Sequence, residues 1–109
     1  MQDARIHQIA HFMEQRIDNP PSVAAAAHHI GVSVRQLERM FHLSLGVSPA
    51  AFQRRMRIKY GRWLLENSNK TVTEIAFDCG FADTAHFSRE FRTHYQQSPS
   101  ELRRNFNAR

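Results

Sequence analysis

Apolar residues recur along this chain at intervals of three and four, in stretches broken by short polar, glycine or proline segments. That is the period of amphipathic helices and not of strands. Between residues 4 and 17, Ile6, Ile9, Ala10, Met13 and Ile17 share one helical face. Asp18 to Pro21 ends this first helix, because consecutive prolines supply no N–H and bias the preceding residue toward extended backbone. Ser22 then caps a second helix, Val23 to Ile30, whose inward face is Val23, Ala26, Ala27 and Ile30. Gly31 stands where a sharp turn needs a positive φ. The next helix begins at Ser33: Gln36, three residues on, completes a capping box with it. Leu37, Met40 and Phe41 form its buried stripe, which leaves Arg35, Gln36, Glu38 and Arg39 crowded together outside that stripe. Helix, glycine turn and capped polar helix make a helix-turn-helix pattern.

Gly46, Val47, Ser48 and Pro49 supply a stop, a cap and a proline at the first helical position, so a new helix starts there and runs to about Glu66. Phe52, Met56, Tyr60, Trp63 and Leu64 form one apolar stripe on it; Ala51, Ile58 and Leu65 form a second, which predicts two packing neighbours. Arg54, Arg55, Arg57, Lys59 and Arg62 fill the remaining surface, as phosphate contacts or simply as a solvated basic face. Gly61 weakens the helix and suggests close packing. After a polar loop at Asn67 to Lys70 the first pattern returns. Thr71 and Glu74 form a capping box, Val72, Ile75, Ala76 and Cys79 face inward, Gly80 makes the turn, and Asp83 caps a helix that buries Phe87, Phe91 and Tyr95. Thr84, Ala85, His86, Ser88 and Arg89 face outward. Ser22, Val23, Ala27 and Gly31 match Thr71, Val72, Ala76 and Gly80 at an offset of 49; Leu37, Arg39, Phe41, Ser48 and Pro49 match Phe87, Arg89, Phe91, Ser98 and Pro99 at an offset of 50. The chain is an internal repeat with a second turn one residue longer, closed by a helix from Pro99 to about Phe106. The expected fold is all-α, two helix-turn-helix units joined by a long bridging helix, about seven helices in one domain over 1–109. The first unit with its supporting helix covers 4–46, the bridge 49–66, and the second unit with its terminal helix 71–106.

Fifteen Lys and Arg against ten Asp and Glu give the 109 residues a formal net charge of +5, and the isoelectric point is near 10.3. That balance favours a polyanionic partner over an acidic or neutral one. One cysteine forms no internal disulfide, and there is neither a signal segment nor a membrane-span-length apolar run, so a cytoplasmic location without membrane contact is expected. His7 and His11, four apart, have metal-ligand spacing, but no further ligand cluster completes a site and a solvated helix face is the better reading. No glycine-rich phosphate loop and no nucleophile with a base at useful spacing point to an enzyme. No cofactor is expected.

A bridge of about 18 residues at roughly 1.5 Å each spans about 27 Å before helix diameters are added. Successive major grooves on one face of B-DNA are about 34 Å apart. One monomer is therefore expected to place both polar helices in adjacent grooves of double-stranded DNA. Duplex RNA, with its narrow major groove, excludes a helix.

The run from Thr71 to Arg103, T-V-T-E-I-A-F-D-C-G-F-A-D-T-A-H-F-S-R-E-F-R-T-H-Y-Q-Q-S-P-S-E-L-R, together with S-V-R-Q-L-E-R-M-F from Ser33 to Phe41, resembles the DNA-binding domain of the AraC/XylS family of bacterial transcription regulators. The resemblance covers nearly the whole chain; where that family usually has leucine and acidic residues, this chain has Ala24, Ala25 and Ala26. It implies sequence-specific DNA binding, with base or phosphate contacts from Arg35, Gln36, Glu38 and Arg39 in the first unit and Thr84, Ala85, His86, Ser88 and Arg89 in the second. It also implies RNA polymerase as a partner, and a longer parent whose further domain binds an effector or dimerises the protein. A helical protein-interaction module acting on the transcription machinery is the competing reading. Chemically, Arg39 and Arg89 are suited to guanine or to a phosphate. Glu38 either holds the neighbouring arginines by ion pairing or accepts from cytosine N4. His86 contacts phosphate or base, or is plain surface. Trp63 reads as core and Cys79 as an inert buried thiol.

Overall fold

The computed structural model describes residues 4–16 and 21–107. Ile17 and the helix-ending segment up to Pro20 lie outside these residues. Among the described residues seven helices follow one another: α1 (Ala4–Gln15), α2 (Val23–His29), α3 (Val34–Leu45), α4 (Pro49–Asn67), α5 (Val72–Asp78), α6 (Thr84–Tyr95) and α7 (Pro99–Asn107). No strand occurs among the described residues, and the all-α expectation holds. The chain divides into two compact units, Met1–Met56 and Arg57–Arg109, and α4 contributes to both.

In the first unit, Ile6, Ile9 and Met13 of α1, Ala26 and Ala27 of α2, and Leu37 and Phe41 of α3 form the core. Phe12, Val23, Ile30, Met40 and Phe52 pack around it half-buried. The alanines of α2 are used as their size suggests, since Ala26 and Ala27 are buried where a larger side chain would hold α2 off its neighbours. Each cap is formed as the sequence predicts. The Ser22 hydroxyl accepts from the Ala25 N–H at 3.0 Å. The Ser33 hydroxyl accepts from the Gln36 N–H at 3.1 Å while Gln36 Oε1 accepts from the Ser33 N–H at 2.9 Å. Gly31 and Gly46 take φ of 74° and 71°, conformations that disfavour any residue with a Cβ. Buried Gln53 was not predicted: its side-chain amide donates to the Pro21 carbonyl and ties α4 to the start of the α2 cap.

The second unit repeats the plan. Ile58, Leu64 and Leu65 of α4 join Ile75, Ala76, Cys79, Phe81, Phe87, Phe91 and Leu102 in one core, with Tyr60, Val72 and Tyr95 packed against it. A Cβ on Gly61 would come within 2.7 Å of the Phe87 ring, which is the close packing that an interior helix glycine suggests. The Thr71–Glu74 capping box is complete, with both bonds at 3.1 Å, and Asp83 caps α6 by accepting from the His86 N–H at 2.7 Å. Arg103 of α7 closes the unit by donating to the carbonyls of Leu65 and Ser68, each at 3.2 Å, and to that of Lys70.

Trp63 departs from its expected burial: it is 56% exposed and stacks on Tyr60 with centroids 6.4 Å apart. The reason lies in the helix period. Gly61 and Leu65 are buried, and Trp63, two residues from each, lies about 200° round the helix from either. The stripe drawn from Phe52 to Leu64 assumed one buried face along all of α4. Instead Phe52 packs with the first core, while Ile58, Leu64 and Leu65 belong to the second.

Candidate nucleic-acid interface

In α3 the buried pair Leu37 and Phe41 fixes which side turns outward, and Arg35, Gln36, Glu38 and Arg39 are all exposed. The helix has no acidic residue in its first turn, so the positive end of its dipole is left for an incoming anion. Glu38 forms no ion pair with Arg35 or Arg39. The bracing role weighed for it is not taken up, and both arginines and the carboxylate stand free to meet other partners. Gln36 carries two tasks. Its Oε1 accepts from the Ser33 N–H, and the Ser33 hydroxyl lies 3.3 Å from the same oxygen. The cap therefore leaves Gln36 its amide N–H groups only. It can donate to a base or phosphate oxygen, but bidentate pairing with adenine needs that Oε1.

In α6, Phe87 and Phe91 are buried, Ala85 and Arg89 are exposed, and Thr84, His86 and Ser88 are half-buried. Arg89 thus occupies in α6 the exposed position of Arg39 in α3. Its neighbours are more tied down than those in α3. Thr84 shares a hydroxyl hydrogen bond with Thr73 of α5 at 3.3 Å. His86 lies edge-on to Phe81 at 5.2 Å with Nε2 3.6 Å from Glu90 Oε1. Thr73 is a site neighbour the sequence did not single out, because its relation to Thr84 arises only when α5 and α6 pack. The electrostatics around α5 serve structure. Thr71 bonds hold the Glu74 carboxyl below its ordinary range. Asp78, 2.5 Å from Lys70 Nζ, raises the Lys70 ammonium.

His28 and His29 are exposed, yet His29 stacks on Phe12 at 4.1 Å and 6°, with the Arg16 guanidinium 4.2 Å from the same Phe12 ring. That engagement accounts for the position of His29. Cys79 is fully buried and its thiol is pushed up to about 12 by burial, with Asp78 reinforcing the shift. It is neutral and unreactive at physiological pH. No cluster of three or more His, Cys, Asp or Glu that could hold a metal occurs among the described residues, and no described helix is long and apolar enough to cross a membrane. What the two units hold in common is a capped helix with an apolar inner stripe and an exposed, arginine-bearing outer face.

A family model described as "Helix-turn-helix domain" matches residues 26–105. The HTH-type transcriptional activator RhaS of Escherichia fergusonii is 38% identical over 101 residues, which is 93% of this chain but 36% of that protein. The chain thus spans about a third of the length of this relative. Among solved structures, a transcriptional regulator of the AraC-type DNA-binding-domain proteins from Chromobacterium violaceum superposes with a TM-score of 0.89 at 34% identity, covering 94% of this chain and 92% of that one. A probable AraC family transcriptional regulator from Rhodopseudomonas palustris superposes at 0.88 with 29% identity, covering 95% and 98%. With both helix-turn-helix units in place, their two matching polar faces and these relatives alongside, the chain belongs to the AraC-type helix-turn-helix DNA-binding domains of transcription regulators.

Proposed function

We propose that this chain reads one asymmetric site on duplex DNA as a monomer, with α3 and α6 in successive major grooves, and that it does so as the DNA-binding part of a longer regulator. The observation that carries this reading is the duplication. A side-chain-capped helix with a buried stripe and an exposed arginine occurs twice, in α3 and in α6, and a protein that used one unit only would gain nothing from matching Arg39 with Arg89. In the first unit Arg35 and Arg39 take guanine or phosphate, Glu38 accepts from cytosine, and Gln36 donates one bond while keeping the cap. In the second, Arg89 takes guanine or phosphate, His86 and Ser88 supply further polar contacts, Thr84 meets the backbone, and the Ala85 methyl suits a thymine methyl. RNA polymerase is the second partner in this reading, supported by the relative that is named a transcriptional activator.

Selection of bound duplexes from a random pool tests the proposal. The expected product is two short conserved blocks about one helical turn apart, without dyad symmetry. Five base pairs inserted between the blocks turn the second groove to the opposite face, and affinity is expected to fall to that of one block. A palindromic product, or a single block indifferent to insertion, would overturn the monomeric two-groove reading. The competing interaction module predicts binding without a steep salt dependence.

A further inference from the structure

Arg57, on α4, is half-buried and lies across the turn that joins α5 to α6. A Cβ built on Gly80 would stand 3.4 Å from Arg57 Nε, 3.5 Å from Cζ and 3.8 Å from Cδ. The guanidinium is therefore seated against the backbone of the turn and does not extend freely into solvent. Its Nε is buried and has no hydrogen-bond partner. Nor does a carboxylate pair with Arg57 among the described residues. The buried Cys79 thiol, which feels its charge, is neutral and balances nothing.

This arrangement is unfavourable for the free protein. A guanidinium keeps its charge at any ordinary pH, and a desolvated donor left unpaired costs more than an apolar side chain of the same shape. The fold does not call for it: the turn closes through the Gly80 N–H to the Phe77 carbonyl at 3.0 Å and the Phe81 N–H to the Ala76 carbonyl at 3.0 Å. A cation held unpaired at a fixed place is a site for an anion that arrives from outside. Its place indicates which anion. A helix-turn-helix docks with the N-terminal end of its second helix in the major groove and its first helix across the backbone. The α5–α6 turn, three residues ahead of the Asp83 cap, then stands at the lip of the groove beside the phosphates.

We propose that Arg57 is a phosphate clamp of the second unit, with its guanidinium, seated on the Gly80 turn, donating to a DNA backbone oxygen when α6 docks. The contact rests on the DNA-binding reading above and adds to it a residue outside both reading helices, one that sets the depth and register of α6 and not the bases it reads.

The test compares wild type with R57M and R57K on the selected duplex across a salt series. R57M is expected to fold with an unfolding midpoint equal to or above that of wild type, because an unpaired charge has been removed. Its affinity is expected to fall about 3- to 10-fold, the usual net effect of one hydrogen bond. The slope of log affinity against log salt is expected to flatten by about 1, and mismatched duplexes to lose as much as matched ones. R57K keeps the slope. Unchanged affinity and slope in R57M overturn the proposal. Should R57M fail to fold, the Arg57 Nε–Hε resonance of the wild-type protein decides: a shift and protection from exchange on saturation with duplex uphold the clamp, and an unmoved resonance overturns it. Wild-type protein that bound no duplex would defeat the DNA-binding reading itself, and the clamp with it.

Discussion

At the scale of single residues, burial decides which chemistry is available, and Cys79 shows this most clearly. Its thiol is fully enclosed by the second core and pushed up to about 12. Because the folded value lies above the ordinary one of 9.0, the thiol's contribution to stability is complete below pH 9 and is lost as pH rises toward 12. Cys79→Ala is accordingly expected to bind DNA as the parent does, with or without oxidant, at a stability cost of about 1 kcal/mol for the small cavity. Cys79→Arg, which buries an unpaired charge, is expected to unfold the second unit. Loss of an oxidant response in the alanine variant, where the parent had one, would show instead that Cys79 is a redox sensor. The sequence announced the burial of Cys79 because Ile75 and Ala76 stand at helical spacing before it. It did not announce that of Gln53, whose only signal is a carbonyl 32 residues away, nor the exposure of Trp63, since hydrophobicity alone does not say where along α4 the buried face changes.

At the scale of elements, the caps were the most legible feature, because a cap is written in four consecutive residues. All of the capping serines and threonines predicted within the described residues are in use, and the Ser98–Glu101 pair adds a further box at the start of α7. These caps give the fold an acid limit. Thr71 holds the Glu74 carboxyl below its ordinary range, and Ser98 does the same for Glu101. With folded values depressed, their stabilisation is present above the ordinary value of 4.5 and disappears as pH falls through the lower folded values. A variant carrying Glu74→Gln and Glu101→Gln keeps the cap geometry without the charge, and its unfolding midpoint is expected to vary less than that of the parent below about pH 4.5. Equal acid sensitivity would place the limit elsewhere. The repeat also exposes one position where its two copies differ. Gly46 ends α3 at φ 71°, and in the second copy Gln96 ends α6 at φ 58°. A left-handed residue with a Cβ is strained by about 1 kcal/mol. Gln96→Gly is therefore expected to raise the urea midpoint of the second unit, and Gly46→Gln to lower that of the first.

At the scale of the whole molecule, the net charge of +5 and the two reading faces make separable contributions, and a mutant cycle tells them apart. Charge acts through phosphates and is sequence-blind; its signature is the salt slope, and it persists on any duplex. The reading faces act through base edges, and their signature is the difference between the selected duplex and a scrambled one. Arg39 and Arg89 lie in different compact units, so their effects are expected to add if both units engage the same duplex and share no partner. Replacing either with alanine is expected to cost about 1 to 3 kcal/mol on the selected duplex, with folding unchanged because both side chains are exposed. The double variant is expected to lose about the sum, which brings it close to its affinity for scrambled DNA. Both single variants should lose discrimination, each at its own block of the site, and titrations against duplexes scrambled in one block at a time locate the loss. An arginine whose removal weakens binding equally on every duplex is a phosphate contact. One whose removal changes nothing at any salt marks a unit that does not touch DNA, and in that case the helix-turn-helix that carries it serves some partner other than the duplex.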